Sequence, residues 1–102
     1  MGVFEYVPEI QNCFCLWMTF IVGGVDSEGG DYFRLKVCTS EWLRRNVSDP
    51  LWGRHVLVVD EYRPQDIIDF VSKYISSLDE RDWLELANKI SRVMEWEFED
   101  YA

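Results

Sequence analysis

The strongest constraint on the fold of this chain is a pair of apolar segments separated by a short stretch rich in glycine and acid. CFCLWMTFIV and DYFRLKVC flank GGVDSEGG, an arrangement typical of a β-hairpin with a long acidic tip. If Val22 pairs with Asp31, facing positions sum to 53, and Phe20 then lies opposite Phe33. The pattern therefore predicts two antiparallel strands in a defined register.

The two faces of this hairpin should differ in chemistry, because successive side chains of a strand point to opposite sides of the sheet. One face is apolar and predicts the core of the protein. Its members are Phe14, Leu16, Met18, Phe20, Phe33, Leu35 and Val37. The other face carries Cys15, Trp17, Thr19, Ile21, Tyr32, Arg34, Lys36 and Cys38. We therefore expect Trp17 to be exposed on a mixed, polar face.

Other segments predict further strands. VFEYV precedes Pro8, while RHVLVVDEY contains an unbroken run of valine and leucine. Such a run is typical of a central strand that is buried on both faces. At the end of the chain, Trp96 and Phe98 alternate with glutamates in MEWEFED, which predicts a short terminal strand with its rings inward and its acids outward.

Three segments predict helices. TSEWLRRNVS begins with hydroxyl residues that can cap a helix, which we expect to span about Ser40 to Asn46. A second helix should begin at Pro64, because proline suits the first helical position and apolar residues follow at spacings of three and four. Asp79 can cap a third helix, whose apolar stripe continues to about Met94. The prediction is an α+β fold, in which about three helices, one short and two longer, pack on a mainly antiparallel sheet of four to five strands.

Length and charge limit the functions open to such a fold. The 102 residues suit a single domain over positions 1–102, with a formal net charge of −9. Residues 1–33 carry five acids and no base, residues 34–63 carry four acids and six bases, and residues 64–102 carry ten acids and four bases. A net charge of this sign repels nucleic acid and anionic lipid and attracts basic surfaces, so we expect neither nucleic acid nor a membrane as a partner. It equally suits an acidic protein that is merely soluble, so charge alone names no partner.

No segment predicts secretion or membrane insertion. The longest nearly apolar run, Cys13 to Val22, has about half the length of a membrane helix, and no Lys or Arg precedes position 34. We therefore expect a cytoplasmic protein. The odd number of cysteines, Cys13, Cys15 and Cys38, fits a reducing compartment and predicts three free thiols.

The sequence gives little sign of catalytic chemistry. His55 is the only histidine and lies beside an apolar strand, so a structural histidine is the stronger interpretation. The three cysteines lack a fourth ligand and the paired spacing of a zinc site, so we expect no metal and no cofactor. Asp60, Glu61 and the terminal acids could act in acid–base catalysis, but solvated surface acids are the commoner case. We expect no catalytic residues.

Four segments follow one another along most of the chain: LWMTFIVGG, FRLKVCTSEWLRR, GRHVLVVDEY and the terminal WEFEDY. Together they resemble the Immunity protein 8 family of bacterial polymorphic toxin systems. The resemblance implies an α+β protein, made beside a secreted or injected toxin, that binds and neutralises this toxin in the cytoplasm without catalysis. The positions characteristic of the resemblance are Trp42, Leu43 and residues Trp96 to Tyr101 of WEFEDY.

Charge and resemblance together suggest an immunity protein that binds a cognate toxin domain. A nuclease would suit this partner role, because nucleases present a basic, phosphate-binding cleft that acids can steer towards rings offering contact area. The candidate partner-binding residues are Trp17, Asp26, Glu28, Asp31, Glu97, Glu99, Asp100 and Tyr101. The alternatives are an acidic adaptor that docks another cytosolic protein and, less favoured, a small carboxylate-dependent hydrolase.

Overall fold

The computed structural model of the protein describes residues 2–4, 8–23, 30–79 and 82–98. Within these ranges the chain forms five strands and three helices, which confirms the α+β class. The elements are, in chain order, β1 (Gly2–Phe4), β2 (Cys15–Val22), β3 (Asp31–Thr39), α1 (Ser40–Asn46), β4 (Val56–Val59), α2 (Pro64–Ser77), α3 (Trp83–Ile90) and β5 (Glu95–Trp96). Most of the acidic hairpin tip and the end of the predicted strand VFEYV lie outside the described residues.

The hairpin of β2 and β3 has the predicted register. Phe20 pairs with Phe33, Val22 pairs with Asp31, and the other facing positions also sum to 53. A slip by one residue would bring the polar face into the core, so the alternation of apolar and polar side chains specifies this register. At the base of the tip, a Cβ on Gly30 would lie 2.6 Å from the carbonyl oxygen of Val22, so the chain can approach this closely only with glycine.

The sheet is mixed, because one of its pairings is parallel. Its order is β1–β2–β3–β4, and β5 also pairs with β3. Three of the pairings are antiparallel, whereas β3 and β4 run in parallel, with Lys36 opposite Val56 and Thr39 opposite Val59. The chain leaves the end of β3 through α1 and returns before β4 begins, so β4 runs in the same direction as β3. The hairpin pattern could not reveal this crossover.

The prediction that β4 is a central strand buried on both faces is wrong. β4 is the last strand in the sheet order, and Val58 is 53% exposed. β3 takes the central place instead, since β2 occupies one of its edges and β4 and β5 share the other. An unbroken apolar run predicts that a strand is apolar, but it does not say how many neighbours the strand has.

The core lies between one face of the sheet and the helices α2 and α3. Phe20, Phe33 and Met18 are the largest fully buried side chains. The two helices add Ile67, Val71, Ala87 and Ile90 to the same buried cluster. Burying one large apolar side chain stabilises the fold by about 1.5–3 kcal/mol, so this cluster fixes both helices on the inner face of the sheet.

The first two helices begin where the sequence predicts. Thr39 caps α1, because the backbone N–H of Trp42 donates to the Thr39 Oγ1 atom at 3.2 Å. Pro64 is the first residue of α2, where its missing N–H group costs no hydrogen bond. The bounds of α1, Ser40–Asn46, are those predicted.

The third helix is shorter than predicted. It begins at Trp83, so Asp79 is not its cap, and Asp82 occupies the cap position without a side-chain hydrogen bond. The helix ends at Ile90, yet Met94 is almost fully buried. A turn between these two residues continues the apolar stripe that the sequence assigned to the helix.

The terminal strand is also shorter than predicted, and only one of its two rings is buried. Trp96 is buried and stacks on Phe33, with the ring centroids 6.2 Å apart. Phe98 is 43% exposed and contacts Trp96 edge-on at 6.0 Å, so the prediction that Phe98 points inward is wrong. The strand ends at Trp96 and a turn comes next, which interrupts the alternation before Phe98.

The cysteines contradict the prediction of three free thiols. A disulfide joins Cys15 and Cys38 across β2 and β3, with the two Cα atoms 4.1 Å apart. The predicted register itself places these residues opposite each other, and facing positions of antiparallel strands lie close. Cys13 is the free cysteine. An odd cysteine count is compatible with one bridge and one thiol, so it does not indicate a reducing compartment here.

Candidate protein-binding surface

The outward side chains of β2, β3 and β4 form an open face on the side of the sheet opposite the core. Three large side chains on this face are partly in solvent: Trp17 is 42% exposed, Tyr32 is 46% exposed and Val58 is 53% exposed. Large apolar side chains gathered on one exposed face are typical of surfaces that bind other proteins. The open face is therefore the first candidate for a partner-binding site.

Two basic side chains position the Trp17 ring on the open face. The guanidinium carbon of Arg34 lies 4.6 Å from the ring centroid, and the Lys36 Nζ atom lies 5.9 Å from it. Both bases belong to β3, and Trp17 belongs to β2, so the contacts cross the hairpin. A cation–π contact at an exposed site is worth about 0.5–1 kcal/mol. The two contacts therefore favour one orientation of the Trp17 ring over others.

The end of the open face beside β5 is acidic. Glu95 pairs with Arg34, with the carboxylate oxygen 2.5 Å from the guanidinium nitrogen. Glu97 Oε1 accepts a hydrogen bond from the backbone N–H of Tyr32 at 2.9 Å, and the Glu97 N–H donates to the Tyr32 carbonyl at 3.1 Å. Glu97, a predicted partner-binding residue, thus ties the end of the chain to β3.

Asp31 has a structural role that its place after the acidic tip did not suggest. Its Oδ2 atom accepts hydrogen bonds from two indole groups, from Trp96 Nε1 at 3.0 Å and from Trp83 Nε1 at 3.3 Å. The carboxylate is therefore directed at the side chains that close the core between α3 and β5. Contact between Asp31 and a partner stays a prediction.

The other predicted site residues lie outside the described part of the chain. They are Asp26, Glu28, Glu99, Asp100 and Tyr101. Among the described candidates, Trp17 and Glu97 lie at the open face, whereas the carboxylate of Asp31 is occupied by indole groups. The structure therefore brings two of the predicted residues to one surface.

A groove of about 880 Å³ lies at one side of the open face, where α1 and the segment before β4 rise beside the sheet. The residues that line it, and that define it as the groove, are Trp17, Lys36, Cys38, Ser40, Trp42, Leu43, Arg44, Val47, Leu51, Trp52, Gly53, Arg54, Val56 and Val58. Trp52 is 95% exposed and Leu51 is 62% exposed. The lining is mostly apolar, and its charged members are all basic.

Sequence reasoning did not identify this groove. Trp52 and Leu51 lie in an irregular segment without strand or helix periodicity, so no pattern assigned them to a face. Two signals were present: a Leu-Trp pair directly after Pro50, and the excess of bases over acids in residues 34–63. Neither signal specifies a surface until the fold brings α1 beside β3 and β4.

The helix α1 carries a network of ion pairs beside the groove. Glu41 accepts hydrogen bonds from Arg44 and Arg45, with its Oε1 atom 2.5 Å and 2.7 Å from their nitrogen atoms. The hydrogen bond from Arg44, followed by that from Arg45, lowers the pKa of the Glu41 carboxyl from 4.5 to about 2. Glu41 therefore stays ionised over the physiological pH range and offsets part of the positive charge on α1.

His55 has the structural position that the sequence favoured. It is 9% exposed, and its Nε2 atom lies 2.8 Å from the Ser91 carbonyl oxygen, which can only accept a hydrogen bond. Its φ of 61° is in the left-handed region, where histidine is enriched over bulkier residues. The ring thus links the start of β4 to the end of α3.

The described ranges contain no group of three or more His, Cys, Asp or Glu side chains that could hold a metal ion. Asp60 is exposed, and Glu61 forms an ion pair with Arg63 rather than a close carboxylate pair.

None of the helices in the described part is long and apolar enough to cross a membrane.

Comparison with known proteins identifies the family. No curated protein and no solved structure matches the chain. The family model described as Immunity protein 8 matches residues 2–101, which is essentially the whole chain. The α+β architecture agrees with what the resemblance of the segments from LWMTFIVGG to WEFEDY implied. The chain belongs to the Immunity protein 8 family.

Proposed function

We propose that this chain is a cytoplasmic immunity protein that binds and neutralises the cognate toxin of a bacterial polymorphic toxin system. The observation that carries the proposal is the open face with its groove, where Trp17 on β2 and Trp52 in the groove lining expose indole rings beside apolar neighbours. A family of immunity proteins requires a surface that recognises a protein, and aromatic side chains dominate the binding energy of such surfaces. Binding, rather than catalysis, is then the whole activity of the chain.

The net charge supports a basic toxin, and we propose a nuclease. The cleft of a nuclease must attract phosphate groups, so it presents positive charge that a protein with a net charge of −9 attracts from a distance. Such steering raises the rate of association, which matters to a producer that must neutralise a toxin before the toxin acts. The cytoplasm is the compartment in which this protection is needed.

Co-expression tests the proposal directly. The toxin domain encoded beside this chain should stop growth when expressed alone, and growth should recover when the chain is co-expressed. A toxin domain from an unrelated system serves as the control and should not be neutralised. The two proteins should also co-purify. The Trp17→Ala variant should dissociate from the toxin faster than the wild-type chain, because it lacks an aromatic anchor. Loss of growth in the presence of the chain, with no complex, would contradict the proposal.

A further inference from the structure

We infer that the groove holds a segment of the toxin that combines a large apolar side chain with a carboxylate group. This inference rests on the proposed function, because it names the part of the toxin that the open face receives. The net charge of this chain suggests a positively charged partner, whereas the inference assigns a negatively charged segment of that partner to the groove. The acidic parts of the chain would attract the toxin as a whole, while the groove would accept one negatively charged segment of it.

The apolar part of the argument comes from the exposed residues of the groove. Trp52 is 95% exposed, Leu51 is 62% exposed and Val58 is 53% exposed, although all three line the same depression. Water covers this much apolar surface only at a free-energy cost, which a bound apolar side chain removes. A partner that covered a ring as exposed as that of Trp52 would have to extend beyond the groove, which favours a protein segment over a small molecule.

The charged part of the argument comes from the composition of the lining. The chain has 19 acids and 10 bases, yet the described lining contains Lys36, Arg44 and Arg54 and no Asp or Glu. Glu41 offsets part of the charge on Arg44 from outside the lining. The Lys36 ammonium lies 5.9 Å from the Trp17 ring, so a positive charge and an apolar wall stand side by side.

This arrangement fits a carboxylate flanked by apolar atoms. The carboxylate would pair with the Lys36 ammonium, while the apolar atoms would pack on Trp17 and Trp52. A nucleic acid would also offer negative charge, but the net charge of −9 repels it. Opposite charges at two places on one interface also fix the orientation of the partner, because the reversed orientation would bring like charges together.

The test measures the dissociation constant of groove variants for the toxin domain encoded beside this chain. Trp52→Ala removes the exposed ring, and Lys36→Glu reverses the charge. Two matched controls lie on α2, outside the groove: Phe70→Ala, at a residue that is 63% exposed, and Lys73→Glu. Melting curves of all four variants exclude unfolded protein from the comparison.

We expect Trp52→Ala to raise the dissociation constant roughly 30-fold or more, the size of effect that a dominant interface residue produces. Lys36→Glu should raise it roughly tenfold or more, because it places a carboxylate opposite the carboxylate of the toxin. Each control should change it by less than about twofold, as most surface positions outside an interface do. Asp→Lys and Glu→Lys substitutions should then be scanned in the toxin. We expect one of these toxin variants to bind the Lys36→Glu variant of the chain again.

Three outcomes would overturn the inference, and they are distinguishable. If the wild-type chain binds the toxin and both groove variants bind equally well, the groove is not the site, although the proposed function stands. If the wild-type chain neither binds nor neutralises the toxin, both proposals fail. If the wild-type chain is a dimer that Trp52→Ala converts into a monomer without changing toxin affinity, the groove receives a second copy of the chain instead.

Discussion

Asp31 and Trp96 lie 65 residues apart in the chain, yet the Trp96 indole N–H donates a hydrogen bond to the Asp31 Oδ2 atom at 3.0 Å. The same oxygen accepts a hydrogen bond from Trp83. One carboxylate at the start of β3 therefore connects the hairpin to α3 and to β5. Since the Asp31 carboxylate accepts hydrogen bonds from two indole groups near the core, its removal should lower the stability of the fold itself.

Replacement of this acid should lower stability. We expect Asp31→Ala to reduce the free energy of unfolding by about 1–3 kcal/mol, because it leaves two indole donors without their acceptor. Asp31→Asn should cost less, since its amide oxygen can still accept a hydrogen bond. Urea unfolding measures both values, with Asp49→Ala as a control that removes an exposed acid. Equal stability of Asp31→Ala and Asp49→Ala would contradict the structural role and leave Asp31 available to a partner.

The two rings at the end of the chain should differ in their effect on stability. Trp96→Ala should lower the free energy of unfolding by about 3–5 kcal/mol, because it empties a buried site against Phe33. Phe98→Ala should cost only about 0.5–1.5 kcal/mol, since its ring is half exposed and its contact with Trp96 is edge-on. Deletion from Glu95 onward should be at least as destabilising as Trp96→Ala. A truncated protein with an unchanged melting temperature would show that the rings serve a partner and not the core.

Thr39 should be sensitive to the loss of its hydroxyl group. The side chain is fully buried, and its Oγ1 atom accepts hydrogen bonds from the backbone N–H groups of Phe14, at 3.1 Å, and Trp42, at 3.2 Å. Thr39→Val keeps the volume but leaves both donors unpaired, so we expect a loss of about 1–3 kcal/mol in the free energy of unfolding. Thr39→Ser keeps the hydroxyl and should lose less. If valine proved as stable as serine at this position, the cap would contribute nothing measurable.

The parts of the fold that the sequence predicted correctly depend on local periodicity. The β2–β3 register follows from alternation, because a shift of β3 by one residue would place Arg34 on the face that now carries Phe33. The bounds of α1 and the start of α2 follow from Thr39 and Pro64, whose preferences are local. These predictions required no knowledge of distant contacts.

The parts that the sequence could not predict depend on contacts between distant segments. The segment VLVV does not predict that β4 is parallel to β3 after the crossover through α1, or that Val58 is exposed. The acceptor role of Asp31 depends on Trp83 and Trp96, which lie 52 and 65 residues further along the chain. The groove likewise forms only when the irregular segment with Trp52 lies beside the sheet.

Purified protein should contain one thiol that reacts without a reductant. We expect alkylation under denaturing conditions to label Cys13 alone, and to label all three cysteines after reduction of the bridge between Cys15 and Cys38. Removing a bridge that closes a loop of this size costs about 2–4 kcal/mol, so Cys15→Ser should also lower the melting temperature. Mass spectrometry counts the labels. Three labels on protein that was never reduced would contradict the bridge, and alkylation inside cells would show whether it forms in the compartment that we propose.

The acids of the hairpin tip and of the end of the chain should govern how fast the toxin binds. We expect amide replacements in either of two clusters to slow association and to weaken its dependence on salt, because exposed charges act through a long-range field that salt screens. The clusters are Asp26 and Glu28 in the tip, and Glu97, Glu99 and Asp100 at the end of the chain. Stopped-flow measurements at two salt concentrations give both effects. Dissociation should change much less, because screened charges at the rim of an interface influence encounter more than residence.

A matched control separates local steering from a general effect of net charge. Asp66→Asn combined with Asp69→Asn removes two exposed acids from α2, as many as the change in the tip removes, and should slow association less. Glu97→Gln needs its own melting curve, because its carboxylate also accepts a hydrogen bond from Tyr32, and lost stability could otherwise resemble lost steering. If association is insensitive to salt and to both clusters, the acids do not steer a toxin. The net charge of −9 would then act mainly to keep the protein soluble, and recognition would rest on the open face alone.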